Sequence, residues 1–182
     1  MSYNLFAYCA NNPVNCADPT GEFAISTVVW IIVGIAVVAT AGTITYGAIT
    51  DTPVVMDISG SAGTGAGVGV KVGISIVLDF KNDSLGFYPH YGYYYGAKYN
   101  DLGASYSVGL ISNYENEGDY AGPFVDMGGG YYGGFDHCYD PRNAYENTVR
   151  ASSLTFGNNI GAYYGYDQYE YWGSIPFSGG DH

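Results

Sequence analysis

Residues 64 to 80 read "TGAGVGVKVGISIVLDF", and a strict two-residue period runs through this stretch. The even positions from Ala66 to Phe80 are all apolar, whereas the odd positions hold Gly, Lys, Ser, Val and Asp. Successive side chains of a β-strand point to opposite faces, so the period predicts a half-buried strand with one apolar face. Its glycines recur at every second position, a spacing that does not match a G-x-G-x-x-G phosphate-binding loop.

The same organisation continues through residues 51–182, where strand-like segments alternate with turn signals rich in Asn, Asp and Gly. The turns read "KNDSLG" (81–86), "NDLG" (100–103), "ENEGD" (115–119) and "GNN" (157–159). Such spacing is typical of an antiparallel meander, and we expect about six to eight strands. Glycine on one face and aromatic residues on the other would let a small barrel close. The predicted fold is therefore mainly β, a small β-barrel or sandwich preceded by one apolar helix.

Tyrosine is unusually frequent, with 21 residues in the chain, and several tyrosines form stripes along the predicted strands. In "FYPHYGYYYGAKY" (87–99), four tyrosines at odd positions share one face. We interpret the stripes as barrel packing with hydroxyl groups at the rim. The alternative is a surface that stacks on sugars or nucleic-acid bases.

Residues 23–50 form one uninterrupted uncharged run, "FAISTVVWIIVGIAVVATAGTITYGAIT". A helix that crosses a bilayer needs about 20 apolar residues, so this run is long enough to span one. The alternative is a hydrophobic helix buried inside a larger protein. Its membrane orientation is not predicted, because no Lys or Arg occurs before Lys71.

Charge and cysteine content narrow the classes of partner and cofactor. Five Lys and Arg against 17 Asp and Glu give a net charge of −12. Nucleic-acid binding is disfavoured, because it depends on cationic side chains that displace counterions. Three cysteines without a C-x-x-C motif predict free thiols, and three scattered histidines predict no metal or other cofactor. No signal peptide is expected, since the first residues contain no Lys or Arg.

One stretch combines several reactive side-chain types. "GGFDHCYDPRN" (133–143) contains an acid, a base, a thiol and a cation within seven residues, and we expect it to be a loop between strands. A catalytic hypothesis uses Asp136, His137, Asp140 and Arg142, with Cys138 beside them. The alternative is an ordinary irregular loop in which Asp140 and Pro141 begin a turn.

Residues 3–21, "YNLFAYCANNPVNCADPTG", carry a family motif. They resemble the C-terminal end of the core of RHS-repeat (YD-repeat) proteins, which reads N-x-Y-x-Y-x-x-N-N-P and then D-P-x-G. Phe6 stands where the family usually has Tyr. The matching residues are Asn4, Phe6, Tyr8, Asn11, Asn12, Pro13, Asp18, Pro19 and Gly21.

This resemblance implies a domain order and a set of partners. RHS repeats form a large β-cocoon, and the variable domain after the motif is usually a toxin used against competing bacteria. Residues 1–22 would then be the tail of the core, 23–50 a possible transmembrane helix and 51–182 a β-rich C-terminal domain. The implied partners are an upstream RHS core, which this chain would lack, and an immunity protein.

The same resemblance implies a role for Asp18. Many family members cleave themselves by an aspartyl-type reaction just after the motif D-P-x-G-L, and Asp18 matches the acid of that motif. Glu22 followed by Phe23 stands where Leu is common, so the chain departs from the motif there.

Three functions follow from these observations. The first is a membrane-active or pore-forming effector, membrane-associated or secreted, in the C-terminal region of an RHS-type toxin. The second is an enzymatic toxin domain that uses the 136–142 loop. The third is a non-enzymatic barrel that binds a ligand through its tyrosines.

Overall fold

The computed structural model describes residues 22–64, 67–98, 102–143, 147–157 and 161–177. The chain divides into two compact units, residues 1–36 and 37–182. The fold of the described residues is mainly β, with a closed eight-stranded antiparallel barrel and one helix before it, as the sequence predicts. The elements are α1 (Glu22–Thr50), β1 (Val54–Gly63), β2 (Val68–Asp79), β3 (Ser84–Lys98), β4 (Leu102–Ser112), a 3-10 turn (Glu117–Tyr120), β5 (Gly122–Tyr131), β6 (Gly133–Tyr139), β7 (Arg150–Gly157), β8 (Gly161–Tyr169) and β9 (Gly173–Pro176).

The strand order around the barrel departs from a simple meander. It runs β1-β2-β3-β8-β5-β6-β7-β4 and returns to β1, and all neighbouring strands are antiparallel. Strands β3 and β4 are consecutive in the chain yet not adjacent in the ring, because β4 pairs with β1 and β7. The short strand β9 lies outside the ring and pairs with Ser84–Phe87 at the start of β3.

The two-residue period of β2 is confirmed, but the buried face is the polar one. Val70 and Val72 are 56% and 59% exposed, whereas Lys71 and Ser75, at the alternate positions of the same strand, are buried. The apolar side chains of this strand thus point outward, and the glycines and polar side chains point into the barrel. An eight-stranded barrel has an interior just wide enough for side chains to fill, which favours glycine and small residues inside. The tyrosine stripes face outward as well, since Tyr91, Tyr93 and Tyr95 are exposed.

An apolar cluster fills one end of the barrel, which we call the closed end. The connections β2–β3, β4–β5 and β6–β7 lie there, and the 3-10 turn places Tyr120 inside the cluster. The ring centroids of Tyr120 and Tyr88 are 5.3 Å apart in an edge-to-face arrangement. The buried members are Val55, Val77, Tyr88, Ile111, Tyr120, Phe124, Cys138, Val149, Ala151 and Tyr169.

The last part of α1 packs on the outer surface of the barrel. The hydroxyl oxygens of Thr40 and Tyr106 on β4 are 2.7 Å apart. A Cβ at Gly47 would overlap Val54 on β1, so glycine is required for this close approach. Residues 37–50 and the strands therefore share one packed unit.

The structure differs from the predicted strands in two places, at β5 and β6 and at β1. Residues 120–135, "YAGPFVDMGGGYYGGF", follow the turn signal at 115–119 and predict one strand, but a tight turn at Tyr132, whose φ is +62°, divides them into β5 and β6. Strand β1 has no counterpart among the predicted segments. The turn at residues 80–83 agrees with the first predicted hairpin, whereas residues 99–101 and 158–160 lie outside the described part of the chain.

Candidate functional site in the barrel lumen

The predicted catalytic stretch is not a single loop. Asp136, His137 and Cys138 belong to strand β6, so neighbouring side chains point to opposite faces. Cys138 is buried in the apolar cluster, while His137 points outward with its Nδ1 atom 2.9 Å from Ser152 Oγ. Asp136 points into the lumen, where it lines a small cavity together with Lys71 and Asp126, so it and the predicted base His137 do not face a common site. The loop prediction for these residues is wrong because β6 continues to Tyr139.

Asp140 and Arg142 lie beyond the strand and form a structural clamp. Asp140 is buried and accepts hydrogen bonds from Arg142 Nε and Nη2, at 2.9 and 2.8 Å. Arg142 Nη2 also donates to the Ala121 carbonyl oxygen, which ties this connection to the start of β5. The hydrogen bond to Asp140 raises the pKa of Arg142 above its already high usual value. Asp18, the acid implied by the family motif, lies outside the described residues.

A buried ion-pair network crosses the middle of the lumen. Lys71 Nζ lies 2.7 Å from Asp126 Oδ2 and 2.9 Å from Asp167 Oδ2, and all three side chains are less than 10% exposed. Strand β2 carries Lys71 and strand β5 carries Asp126, and two other strands separate them in the ring. The lysine side chain therefore reaches across the interior and closes it.

A histidine extends this network toward β1. His90 Nε2 lies 2.6 Å from Asp57 Oδ2, and His90 Nδ1 lies 3.6 Å from Asp167 Oδ2. Ser75 Oγ donates to the same Asp57 oxygen at 2.8 Å. The imidazole stacks on Tyr169, with ring centroids 4.6 Å apart, so the network rests directly on the apolar cluster.

The network has the components of a catalytic site but not its arrangement. Ser75 bonds to Asp57 and not to His90, which does not match the nucleophile–base–acid order of a serine hydrolase. Ser75 is also fully buried, out of reach of a substrate. Within the described ranges, no group of three or more His, Cys, Asp and Glu side chains could hold a metal ion.

The empty space in the lumen is small. A cavity of about 20 Å³ lies between the network and the apolar cluster, with room for roughly one water molecule. A second cavity of about 30 Å³ is lined mostly by glycines near the opposite end. Ligand pockets are typically about 300 Å³ or larger, so neither cavity suits a drug-sized ligand. The ion-pair network thus lies between these two small cavities.

Sequence reasoning missed the five residues of the network, although a signal for them was present. Each of these residues lies on the same face of its strand as the glycines and serines of that strand. Lys71 is the one charged residue in the sequence 64–78. Charged residues at alternate positions with Gly and Ser indicate a polar interior when the other face is apolar. The residues are Asp57, Lys71, His90, Asp126 and Asp167.

Function must be inferred from the chain's own residues and surfaces. In comparisons with known proteins, no family model, curated protein or solved structure matches the chain.

Proposed function

We propose that this chain is the C-terminal effector region of an RHS-type toxin and that it acts at a membrane through α1. The resemblance of residues 3–21 to the end of an RHS core supports the first part. One observation supports the second part most strongly. Residues Val28–Thr50 form a helix of mean hydropathy 2.3. Most of the large apolar side chains of this helix are exposed.

The exposed surface of α1 is suited to lipid. A helix that is apolar all round is normally buried in a protein core or in a membrane. Here Trp30, Val38 and Ile49 are each more than 70% exposed, at 72%, 73% and 77%. Transfer of such surface from water to hydrocarbon is favourable by about 25 cal/mol per Å².

The hydrogen bonding of α1 also suits hydrocarbon. Thr43, Thr45 and Thr50 donate their hydroxyl hydrogens to carbonyl oxygens four residues earlier, at 2.8, 2.7 and 2.8 Å. Polar groups in the bilayer core must find partners inside the protein, because water is absent there. The helix contains 29 residues, which at about 1.5 Å per residue exceeds a hydrocarbon core of about 30 Å.

The two other predicted functions have weaker support. An enzyme that uses residues 136–142 would need Asp136 and His137 on one side of β6, whereas the strand directs them to opposite sides. A barrel that binds a ligand through its tyrosines would use the outward-facing stripe of Tyr91, Tyr93 and Tyr95, and neither cavity of the lumen is lined by these residues. Membrane insertion is therefore the function we prefer.

A pair of lysine substitutions tests this proposal in the full chain. Val38→Lys places a charge near the middle of the helix, where it costs about 2.5–3.5 kcal/mol in a membrane. Ile49→Lys places the same charge near the helix end, where the long side chain reaches the interface. Both positions are exposed, so an α1 that stays in water would tolerate both substitutions.

The measurement is the fraction of chain that stays with bacterial membranes after an alkaline carbonate wash, together with growth of the expressing cells. We expect Val38→Lys to lose membrane retention and growth inhibition, and Ile49→Lys to keep both. Equal retention of the two variants, or a wild-type chain that washes off the membrane, would refute the proposal.

A further inference from the structure

The outer surface of the barrel is apolar on every strand of the ring. We call these exposed side chains the apolar belt, and they alternate with the polar lumen residues along each strand. The belt includes aliphatic and aromatic residues, and the tyrosines of β3 and β8 pack together, with the rings of Tyr93 and Tyr166 5.5 Å apart. One exposed member from each strand, in chain order from β1 to β8, is Ile58, Val70, Tyr93, Leu102, Met127, Phe135, Leu154 and Tyr166.

We propose that the barrel itself crosses a lipid bilayer, with the apolar belt in contact with the hydrocarbon. A protein partner would cover one side of the barrel, whereas exposed apolar side chains occur on all eight strands, and α1 covers only part of β1 and β4. A closed antiparallel barrel also has no free strand edge, so its backbone hydrogen bonds are made internally, as a bilayer requires. An apolar exterior around a polar interior is the arrangement of transmembrane β-barrels.

Strand length and outward charge agree with this arrangement. The eight strands of the ring have between 7 and 15 residues, which brackets the 9–11 residues or so that a tilted transmembrane strand needs. In the described strands of the ring, the outward positions include one arginine and one histidine among otherwise uncharged residues. These two, Arg150 and His137, lie on neighbouring strands β7 and β6 toward the closed end.

The lumen network explains how charged side chains are accommodated at that depth. Ionisable side chains inside a membrane protein face the protein interior or a cavity and pair with one another there. Lys71 faces Asp126 and Asp167, and His90 faces Asp57 and Asp167. All of these charges point away from the belt.

The two ends of the barrel differ in charge, and this difference predicts the direction of insertion. The three closed-end connections and the segment between β8 and β9 contain exposed or half-exposed charged side chains. The sequences that join the strands at the opposite end contain one charged residue, Asp101, and Lys98 is the last residue of β3. The opposite end is therefore the end that crosses the bilayer, because each charged side chain that passes through the hydrocarbon adds to the cost of insertion. The closed-end charges include Lys81, Asp83, Glu115, Glu117, Arg142 and Glu170.

This inference rests on the proposed action at a membrane and extends it from α1 to the barrel. The two can fail separately, because α1 can insert while the barrel remains in water if residues 37–50 separate from the outer surface of the barrel. Spin labels on the two elements distinguish these cases.

The experiment uses the full chain with Cys9 and Cys16 replaced by serine and one new cysteine for each spin label. Cys138 remains, because it is 7% exposed and out of reach of the reagent. Val70→Cys and Phe135→Cys place labels on β2 and β6, which lie four strands apart and so on opposite sides of the ring. Asn82→Cys in the β2–β3 turn is the matched exposed control, and Val38→Cys reports on α1.

Each labelled chain is reconstituted with phosphatidylcholine vesicles, and its collisions with oxygen and with a water-soluble nickel chelate are compared. Oxygen concentrates in the hydrocarbon and the chelate in water. We expect oxygen to dominate at Val70 and at Phe135 and the chelate to dominate at Asn82. The ratio of oxygen collisions to chelate collisions should thus be high at both belt positions and low at Asn82.

Two outcomes at the belt positions would overturn the inference, and the label at Val38 then shows whether the proposed function of α1 fails as well. Chelate access at either belt position means that the barrel lies on the membrane surface or in water. Access of neither probe to a belt position means that a second copy of the chain covers it. If the label at Val38 alone is in lipid, the proposed function of α1 stands and the barrel inference fails; if no label is in lipid, both fail.

Discussion

Lys71 lies between two carboxylates in the lumen, and its removal would leave them without a cation. Lys71→Met keeps most of the side-chain length but removes the charge that Asp126 and Asp167 face at 2.7 and 2.9 Å. Breaking a buried ion pair from one side usually costs about 3–5 kcal/mol, so we expect a loss of that size in the free energy of unfolding. Denaturant titration of the full chain measures it.

Lys81→Met is the matched control for this substitution. Lys81 lies in the exposed turn between β2 and β3, where a substitution changes stability by about 0.5 kcal/mol or less. Equal effects of the two substitutions would contradict the interpretation of Lys71 as the central cation of the lumen network.

Single residues were the hardest scale to predict from the sequence. The sequence shows which positions of β2 alternate, but alternation alone does not tell which face a closed sheet encloses. The polar face of β2 is enclosed because Lys71 finds partners on β5 and β8, strands that follow about 50 residues or more along the chain. Asp136 and His137 were grouped by their proximity in sequence, and the strand separates them.

Individual elements were predicted better where their pattern was long and uniform. The helix runs from Glu22 to Thr50, against a predicted range of 23–50. The β5–β6 turn was missed because "GGGYYGG" has no Asn or Asp and the turn residue Tyr132 carries the positive φ itself. Strand β1 was missed because its apolar pattern is weaker, with Asp57 and three small residues on its inward face.

The contact between β3 and β8 gives a prediction at this scale. Gly92 faces the lumen, and a Cβ there would overlap the Tyr166 carbonyl oxygen and the Asp167 side chain on β8. The backbone oxygen cannot move without disturbing the ladder, so we expect Gly92→Ala to destabilise the barrel by about 1–3 kcal/mol. The change in the midpoint of thermal unfolding measures this.

Gly60 on β1 provides the comparison. A Cβ at this position meets only the Gly103 carbonyl oxygen at 3.8 Å, which is an ordinary contact distance. Gly60→Ala should therefore leave stability unchanged or raise it by about 0.5 kcal/mol, because alanine reduces the freedom of the unfolded chain. A destabilisation by Gly60→Ala as large as that by Gly92→Ala would show that close strand approach is not the reason for the glycine at position 92.

At the scale of the whole molecule, the low charge of the chain and its inverted barrel are related. Charged residues make up 12% of the sequence, about half the usual share for a soluble domain. The barrel places many of them in the lumen or at the closed end and leaves the belt apolar. A mainly β barrel preceded by one apolar helix was predictable from composition and period. The ring order was not, because β4 and β8 pair with strands distant in sequence.

Membrane insertion of the barrel is the central claim, and strand orientation tests it most directly. Polarised infrared spectra of the full chain in supported phosphatidylcholine bilayers report the average tilt of the strands from the membrane normal. A spanning eight-stranded barrel predicts a dichroic amide I band with a strand tilt of about 35–45°. A band without dichroism, or a protein signal that disappears when the bilayer is rinsed, would contradict the claim.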